Sequence, residues 1–99
     1  MDSLKLLWEN FESKNIPSRY KLAVIGDVNL TLLESDLISG ILTVIQTEGR
    51  IGTRIKNQLS SSIEKVSIIS DKLEDNAKNF FLELKTVAIA AQAEIKPLH

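Results

Sequence analysis

The chain has 99 residues, a net charge of −1, 43% hydrophobic residues and no cysteine. This composition fits one folded domain and excludes disulfide bonds, thiol catalysis and thiolate metal sites. The one histidine is His99, the last residue of the sequence, so neither a zinc site nor a serine–histidine catalytic arrangement has a basis in the residues. We therefore expect no enzyme activity, no cofactor and no bound metal.

Charge and hydropathy also bear on location and partners. The first residues lack the basic start and unbroken apolar run of a signal peptide, and the most apolar stretch, residues 37–45, is too short to span a bilayer. Residues 1–49 contain four basic and seven acidic side chains, whereas residues 50–99 contain eight basic and six acidic ones. The first two features, with the absence of cysteine, predict a soluble, cytoplasmic protein with no membrane partner. The basic excess of the second half is small compared with that of a strong nucleic-acid binder.

The first predicted element is an amphipathic helix with its connector, residues 1–17. Leu4, Leu7, Trp8 and Phe11 follow the i, i+3, i+4, i+7 spacing of an apolar helical stripe. Pro17 disfavours helix at the residue before it, so we expect the helix to end near residue 14. Two interpretations are open: the stripe closes one side of the core, or it docks into a groove of a partner protein.

Residues 18–26 form the least determined segment. Ser18 is a suitable helix N-cap and Gly26 a suitable C-terminal stop, which predicts two short helical turns. The apolar run at residues 22–25 would also suit a short strand. We favour a helix or an irregular connector, because no strand partner is evident nearby.

A second helix is predicted at residues 31–48. Thr31 and Glu34 have the spacing of a capping box, and Gly49 follows the last apolar position. Apolar residues cover more than half of the circumference, so this helix should be the most buried element. Gly40 lies inside it, where glycine disfavours helix, and this predicts a close approach of another helix.

The third predicted element is a long helical segment, residues 53–95, with no glycine or proline between Gly52 and Pro97. Apolar residues alternate at spacings of four and three over more than four heptads, which is typical of a coiled coil or a long bundle helix. The positions in this frame are Leu59, Ile63, Val66, Ser70, Leu73, Ala77, Phe80, Leu84, Val87 and Ala91.

An unbroken helix over this segment would be about 65 Å long. A compact chain of this size has a radius of gyration of only about 13 Å. Either the helix breaks, for which residues 60–62 are the best candidates, or its far half pairs with a second copy. We predict an all-α bundle whose C-terminal helix forms a homodimer in coiled-coil-like pairing. The predicted oligomer interface comprises Leu59, Ile63, Val66, Leu73, Ala77, Phe80, Leu84, Val87 and Ala91.

Residues 41–75 support an alternative function. The stretches "ILTVIQTEGRI", "TRIKNQL" and "SSSIEKVSIISDKLED" resemble the helix-turn-helix of winged-helix regulators of the MarR type. The resemblance implies a DNA-binding transcriptional regulator in which Ser62 caps the recognition helix. The implied contacts to the major groove are Ser62, Lys65, Ser67 and Ile68, and those near phosphates are Arg50, Arg54 and Lys56.

The heptad frame continues past residue 75, where such a regulator would form a wing. We therefore prefer a single helical domain, residues 1–99, that acts as a non-catalytic protein–protein interaction or assembly module. Its expected partner is a second copy, with another protein also open and nucleic acid less favoured. Winged-helix DNA binding with a dimerising C-terminal helix is the alternative function.

Overall fold

The computed structural model describes residues 1–14 and 23–96, which form four α-helices and one short β-hairpin. The helices are α1 (Asp2–Phe11), α2 (Leu30–Thr47), α3 (Thr53–Ile69) and α4 (Asp75–Ala93), and the strands are β1 (Val24–Ile25) and β2 (Val28–Asn29). Helices α2, α3 and α4 pack against one another, and α1 lies along α4. The predicted all-α helical bundle is confirmed.

The hairpin corrects the interpretation of residues 23–26 as a helix or irregular connector. Val24 pairs with Asn29 and Ile25 pairs with Val28 in an antiparallel register. Gly26 has a φ of +60°, which a two-residue hairpin turn favours at its first central position. The strand partner therefore lies immediately after the turn, in the residues that lead into α2. Residues 18–22 of the same predicted segment lie outside the described residues.

Helix α2 begins two residues earlier than the predicted capping box would place it. Asn29 is the N-cap, and its Oδ1 accepts a hydrogen bond from the backbone N–H of Leu32 at 3.0 Å. The helix ends at Thr47 and is followed by Glu48, the C-cap, which has a left-handed φ of 55°. The N–H of Gly49 donates to the carbonyl of Val44 at 2.9 Å. The inner face of α2 is fully buried: it consists of Leu30, Leu33, Leu37, Ile41 and Val44.

The long C-terminal segment is two helices, and the break does not lie at residues 60–62. Helix α3 runs through these serines, because Ser62 is buried on its inner face and Ser60 Oγ accepts a hydrogen bond from Gln92 Nε2 of α4 at 2.6 Å. The chain turns instead through a 3-10 helix, Ser70–Lys72, and then through extended backbone at Leu73 and Glu74.

This turn folds α4 back against α2 and α3, which removes the need for a second chain to cover an overlong helix. The longest dimension of the molecule is 42 Å and its radius of gyration is 13.2 Å. Both values fit a compact single chain of this length, whereas an unbroken helix over residues 53–95 would be about 65 Å long.

Two glycines lie at close approaches between helices. A β-carbon on Gly40 of α2 would lie 2.9 Å from Leu59 Cδ1 of α3, so the predicted close approach at Gly40 is present. Gly49 lies against the last turn of α4, where a β-carbon would overlap the carbonyl oxygen of Glu94. The N–H of Lys96 also donates to the Gly49 carbonyl at 2.8 Å, which ties the end of α2 to the end of α4.

Candidate interaction surfaces

The residues predicted to form an intermolecular seam lie in the core of one chain. All except Ile63, which is partly buried, are at most 6% exposed. The heptad pattern correctly predicted which side chains are buried, but α3 and α4 bury them against each other and against α2 of the same chain. The side chains predicted for an oligomer interface thus pack inside a single chain, which leaves them little exposed surface for a second copy. They are Leu59, Ile63, Val66, Leu73, Ala77, Phe80, Leu84, Val87 and Ala91.

The arrangement expected from the MarR-type resemblance is absent from the described chain. Ser62 is 2% exposed and lies in the middle of α3, so it caps no helix and has no access to a DNA groove. Residues 75–93 form α4 where a two-stranded wing would follow. The other polar side chains among the implied DNA contacts are exposed, which is ordinary for polar residues: they are Arg50, Arg54, Lys56, Lys65 and Ser67. Ile68, the remaining implied contact, is also exposed.

The apolar stripe of α1 packs on its own bundle. Leu4 and Phe11 are buried, Trp8 is partly buried, and Leu7 lies at the exposed edge of the stripe. The Phe11 ring packs on the Phe80 ring of α4, with 5.2 Å between the ring centroids. In this structure the stripe therefore closes one side of the core, and α1 does not present a free docking face of the predicted four residues.

A shallow groove remains between α1 and α4 beside this contact. Its apolar lining comes from Leu7, Phe11 and Val87, and its volume is about 180 Å³. The Lys14–Glu83 ion pair also lies along it and joins the two helices. The groove is large enough for about one apolar side chain, so it could contribute to a contact but provides little area by itself.

A second surface lies beside the hairpin, across helices α2 and α3. We define the α2–α3 patch as Leu32, Ile68, Lys65, Asp27 and Asp36. Leu32 is 63% exposed and Ile68 is 61% exposed. Leu32 and Lys65 line the same cleft, of about 160 Å³, and Ile68 follows Lys65 by three residues, on the same side of α3. Lys65 therefore links the two aliphatic side chains: it lines the cleft with Leu32, and it lies one turn from Ile68 on α3.

Charges of both signs border this apolar pair. Asp27 and Asp36 line the hairpin and α2 side of the cleft, and Lys65 lines the α3 side. Among the residues that the structure describes, the Lys65 ammonium forms no ion pair with either carboxylate. The patch thus combines exposed aliphatic groups with one cation and two anions that are free to meet charges on another molecule.

Sequence reasoning missed Leu32 and assigned Ile68 only to an implied DNA contact. Both residues are large aliphatic side chains outside the apolar stripes of their helices. This position was the only sequence signal that could have indicated that they are exposed. Single exposed aliphatic residues are common and carry little meaning. Only the packing of α2 on α3 places Leu32 beside Lys65, which lies one turn from Ile68 on α3.

The described residues provide no group of three or more histidine, aspartate or glutamate side chains that could hold a metal ion. Over the same ranges, α2 is the one helix that is long and apolar enough to cross a membrane by length and composition. A core helix of a folded domain meets the same criterion, and in this structure the inner face of α2 forms the centre of the bundle.

Comparison of the chain with models of protein families, with curated proteins and with solved structures finds no match. The surface geometry, the charges and the burial of the described residues are therefore the basis for any functional proposal.

Proposed function

We propose that the chain is a non-catalytic protein–protein interaction or assembly module that self-associates, and that the α2–α3 patch is its association surface. The observation that carries the proposal is the exposure of Leu32 and Ile68, each more than 60%, on two adjacent helices. Leu32 lines a cleft with Lys65, and Ile68 lies one turn from Lys65 along α3. Clustered aliphatic side chains rimmed by charged groups are typical of protein-binding surfaces.

The non-catalytic part of the proposal rests on composition. The chain has no cysteine, and its one histidine is the last residue. The cleft in the α2–α3 patch contains carboxylates and a lysine, but Asn29, which could orient a ligand there, already caps α2. We also place the protein inside the cell in this proposal, because a domain of this size without disulfides suits a reducing compartment.

The size of the patch sets the expected strength of association. Complete burial of a leucine or isoleucine side chain contributes about 1.5–3 kcal/mol. Two such side chains per copy, each a little over half exposed, would contribute roughly 4–7 kcal/mol to a dimer. This is near the lower end of the cost of association, about 4–15 kcal/mol. We therefore expect a weak dimer whose population depends strongly on protein concentration.

Sedimentation velocity tests the proposal. The mass of the wild-type chain should rise from monomer toward dimer as concentration increases from about 10 µM to about 1 mM. The double variant Leu32→Ser/Ile68→Ser should remain monomeric over that range while its circular dichroism spectrum is unchanged.

The matched control is Leu6→Ser/Ile89→Ser, which removes two exposed aliphatic side chains from α1 and α4, where they are 59% and 46% exposed. The control should associate like the wild type. A wild-type chain that stays monomeric at every concentration, or a control that abolishes association as fully as the patch variant, would overturn the proposal.

A further inference from the structure

We infer that two copies pair through the α2–α3 patch about a two-fold axis, with Lys65 of each copy facing Asp36 of the other. This inference rests on the proposed function and adds the symmetry of the pairing and its register. A second copy is the favoured occupant because the patch is complementary in charge to itself. It presents carboxylates on the hairpin and α2 side and an ammonium group on the α3 side.

The arrangement of the two helices makes such pairing geometrically simple. Helices α2 and α3 run antiparallel, since Gly40 contacts Leu59 near the middle of both, and Leu32 near the start of α2 lies close to Lys65 toward the end of α3. Consider a two-fold axis that is parallel to the two helices and lies just outside the surface, above the groove between them. This axis places α2 of each copy over α3 of the other. Residues at the same height along the helices then face each other.

In this register, aliphatic side chains of the two copies meet each other, and opposite charges meet beside them. Leu32 of one copy meets Ile68 of the other, and one turn further along Asp36 meets Lys65. Each contact occurs twice, as an isologous interface requires. Asp27 lines the same cleft and adds a second negative charge near the lysine of the other copy. A patch with charges of only one sign would repel its own copy and would favour a different protein instead.

Charge reversal with mixing tests this register. Lys65→Asp alone and Asp36→Lys alone each place two like-charged pairs in the homodimer, so each should weaken self-association by about tenfold or more. An equimolar mixture of the two variants restores two opposite-charge pairs in the heterodimer, and it should associate like the wild type. The double variant Lys65→Asp/Asp36→Lys should also recover association. Lys65 is exposed and Asp36 is partly exposed, and circular dichroism checks that the helices remain in each variant.

The matched control is Lys56→Asp, which reverses one exposed charge on another side of α3. Lys56→Asp alone should associate like the wild type. When it is mixed with Asp36→Lys, it should not restore the association that Asp36→Lys loses. If the wild type dimerises and Leu32→Ser/Ile68→Ser abolishes the dimer, but mixing the reversed variants restores nothing, the two-fold register is overturned and the association surface stands. A wild type that does not associate removes the proposed function and this inference together.

Discussion

The carbonyl oxygen of Glu94 occupies the position where a side chain on Gly49 would begin. This contact joins the end of α2 to the end of α4, and the Lys96 N–H donor to the Gly49 carbonyl reinforces it. Gly49 also has a φ of +84°, in the left-handed region that favours glycine. Two independent constraints, one of backbone conformation and one of space, therefore act at the same residue.

We expect Gly49→Ala to destabilise the fold by more than about 2 kcal/mol, because the methyl group adds backbone strain and overlaps main-chain atoms that cannot move as freely as a side chain. Urea unfolding followed by circular dichroism measures the change. Gly52→Ser is the control: Gly52 has open space around it and is the N-cap of α3, where serine is favourable. It should be neutral or slightly stabilising. Equal losses in the two variants would contradict the role of the Glu94 contact.

Replacement of Glu48 by glycine should stabilise the protein. Glu48 ends α2 with a left-handed φ of 55°, which costs a residue with a β-carbon about 1 kcal/mol relative to glycine. Its side chain is exposed, so little packing is lost. We expect an increase of about 0.5–1 kcal/mol in the free energy of unfolding. Thermal unfolding of Glu48→Gly beside Glu48→Ala separates this backbone effect from removal of the charge, and a gain in the alanine variant as large as in the glycine variant would refute the backbone explanation.

Leu84→Glu should unfold the chain. The Leu84 side chain is fully buried on the inner face of α4, so the variant would bury an unpaired carboxylate at a cost of more than about 4 kcal/mol. Circular dichroism should show loss of helix, and sedimentation should show a monomer. Ile89→Glu on the exposed side of the same helix should retain full helicity. If Leu84→Glu instead keeps its helices but no longer forms an oligomer, the result would support the predicted intermolecular seam.

Phe11→Ala tests whether α1 belongs to the core. Phe11 is buried and packs between Trp8 and Phe80, with ring-centroid distances of 6.3 Å and 5.2 Å. Its truncation should cost about 3–5 kcal/mol, whereas Leu6→Ala on the outer side of α1 should change stability by less than about 0.5 kcal/mol.

In the wild type, Trp8 fluorescence and far-ultraviolet circular dichroism should report one coincident unfolding transition. Separate transitions, with the fluorescence change first, would indicate that α1 detaches from an otherwise folded bundle.

Much of the bundle could be predicted from periodicity. The heptad positions of α3 and α4 and the stripes of α1 and α2 face the core, because regular spacing of apolar residues on a helix shows which side avoids water. The glycine at position 40 also predicted a close helix contact, since an unfavourable residue inside a helix requires a reason such as the packing of Leu59 against it.

The position of the break could not be predicted from the same pattern. The turn at Ser70–Lys72 contains neither glycine nor proline, whereas residues 60–62 form a run of serines that is common in turns. Tertiary contacts outweigh this local preference for a turn at residues 60–62. The hydrogen bond from Gln92 to Ser60 stabilises helix through the serines, and the fold-back after Ile69 lets Phe81 and Leu84 reach the core.

The sequence by itself determined the all-α class and the residues that avoid water. The tertiary structure alone decided which molecule covers them, because the hydrophobic effect is non-directional and acts equally whether an apolar stripe packs on its own chain or on another. The fold-back at Ser70–Lys72 directs the predicted seam inward. The same packing leaves Leu32 of α2 and Ile68 of α3 exposed.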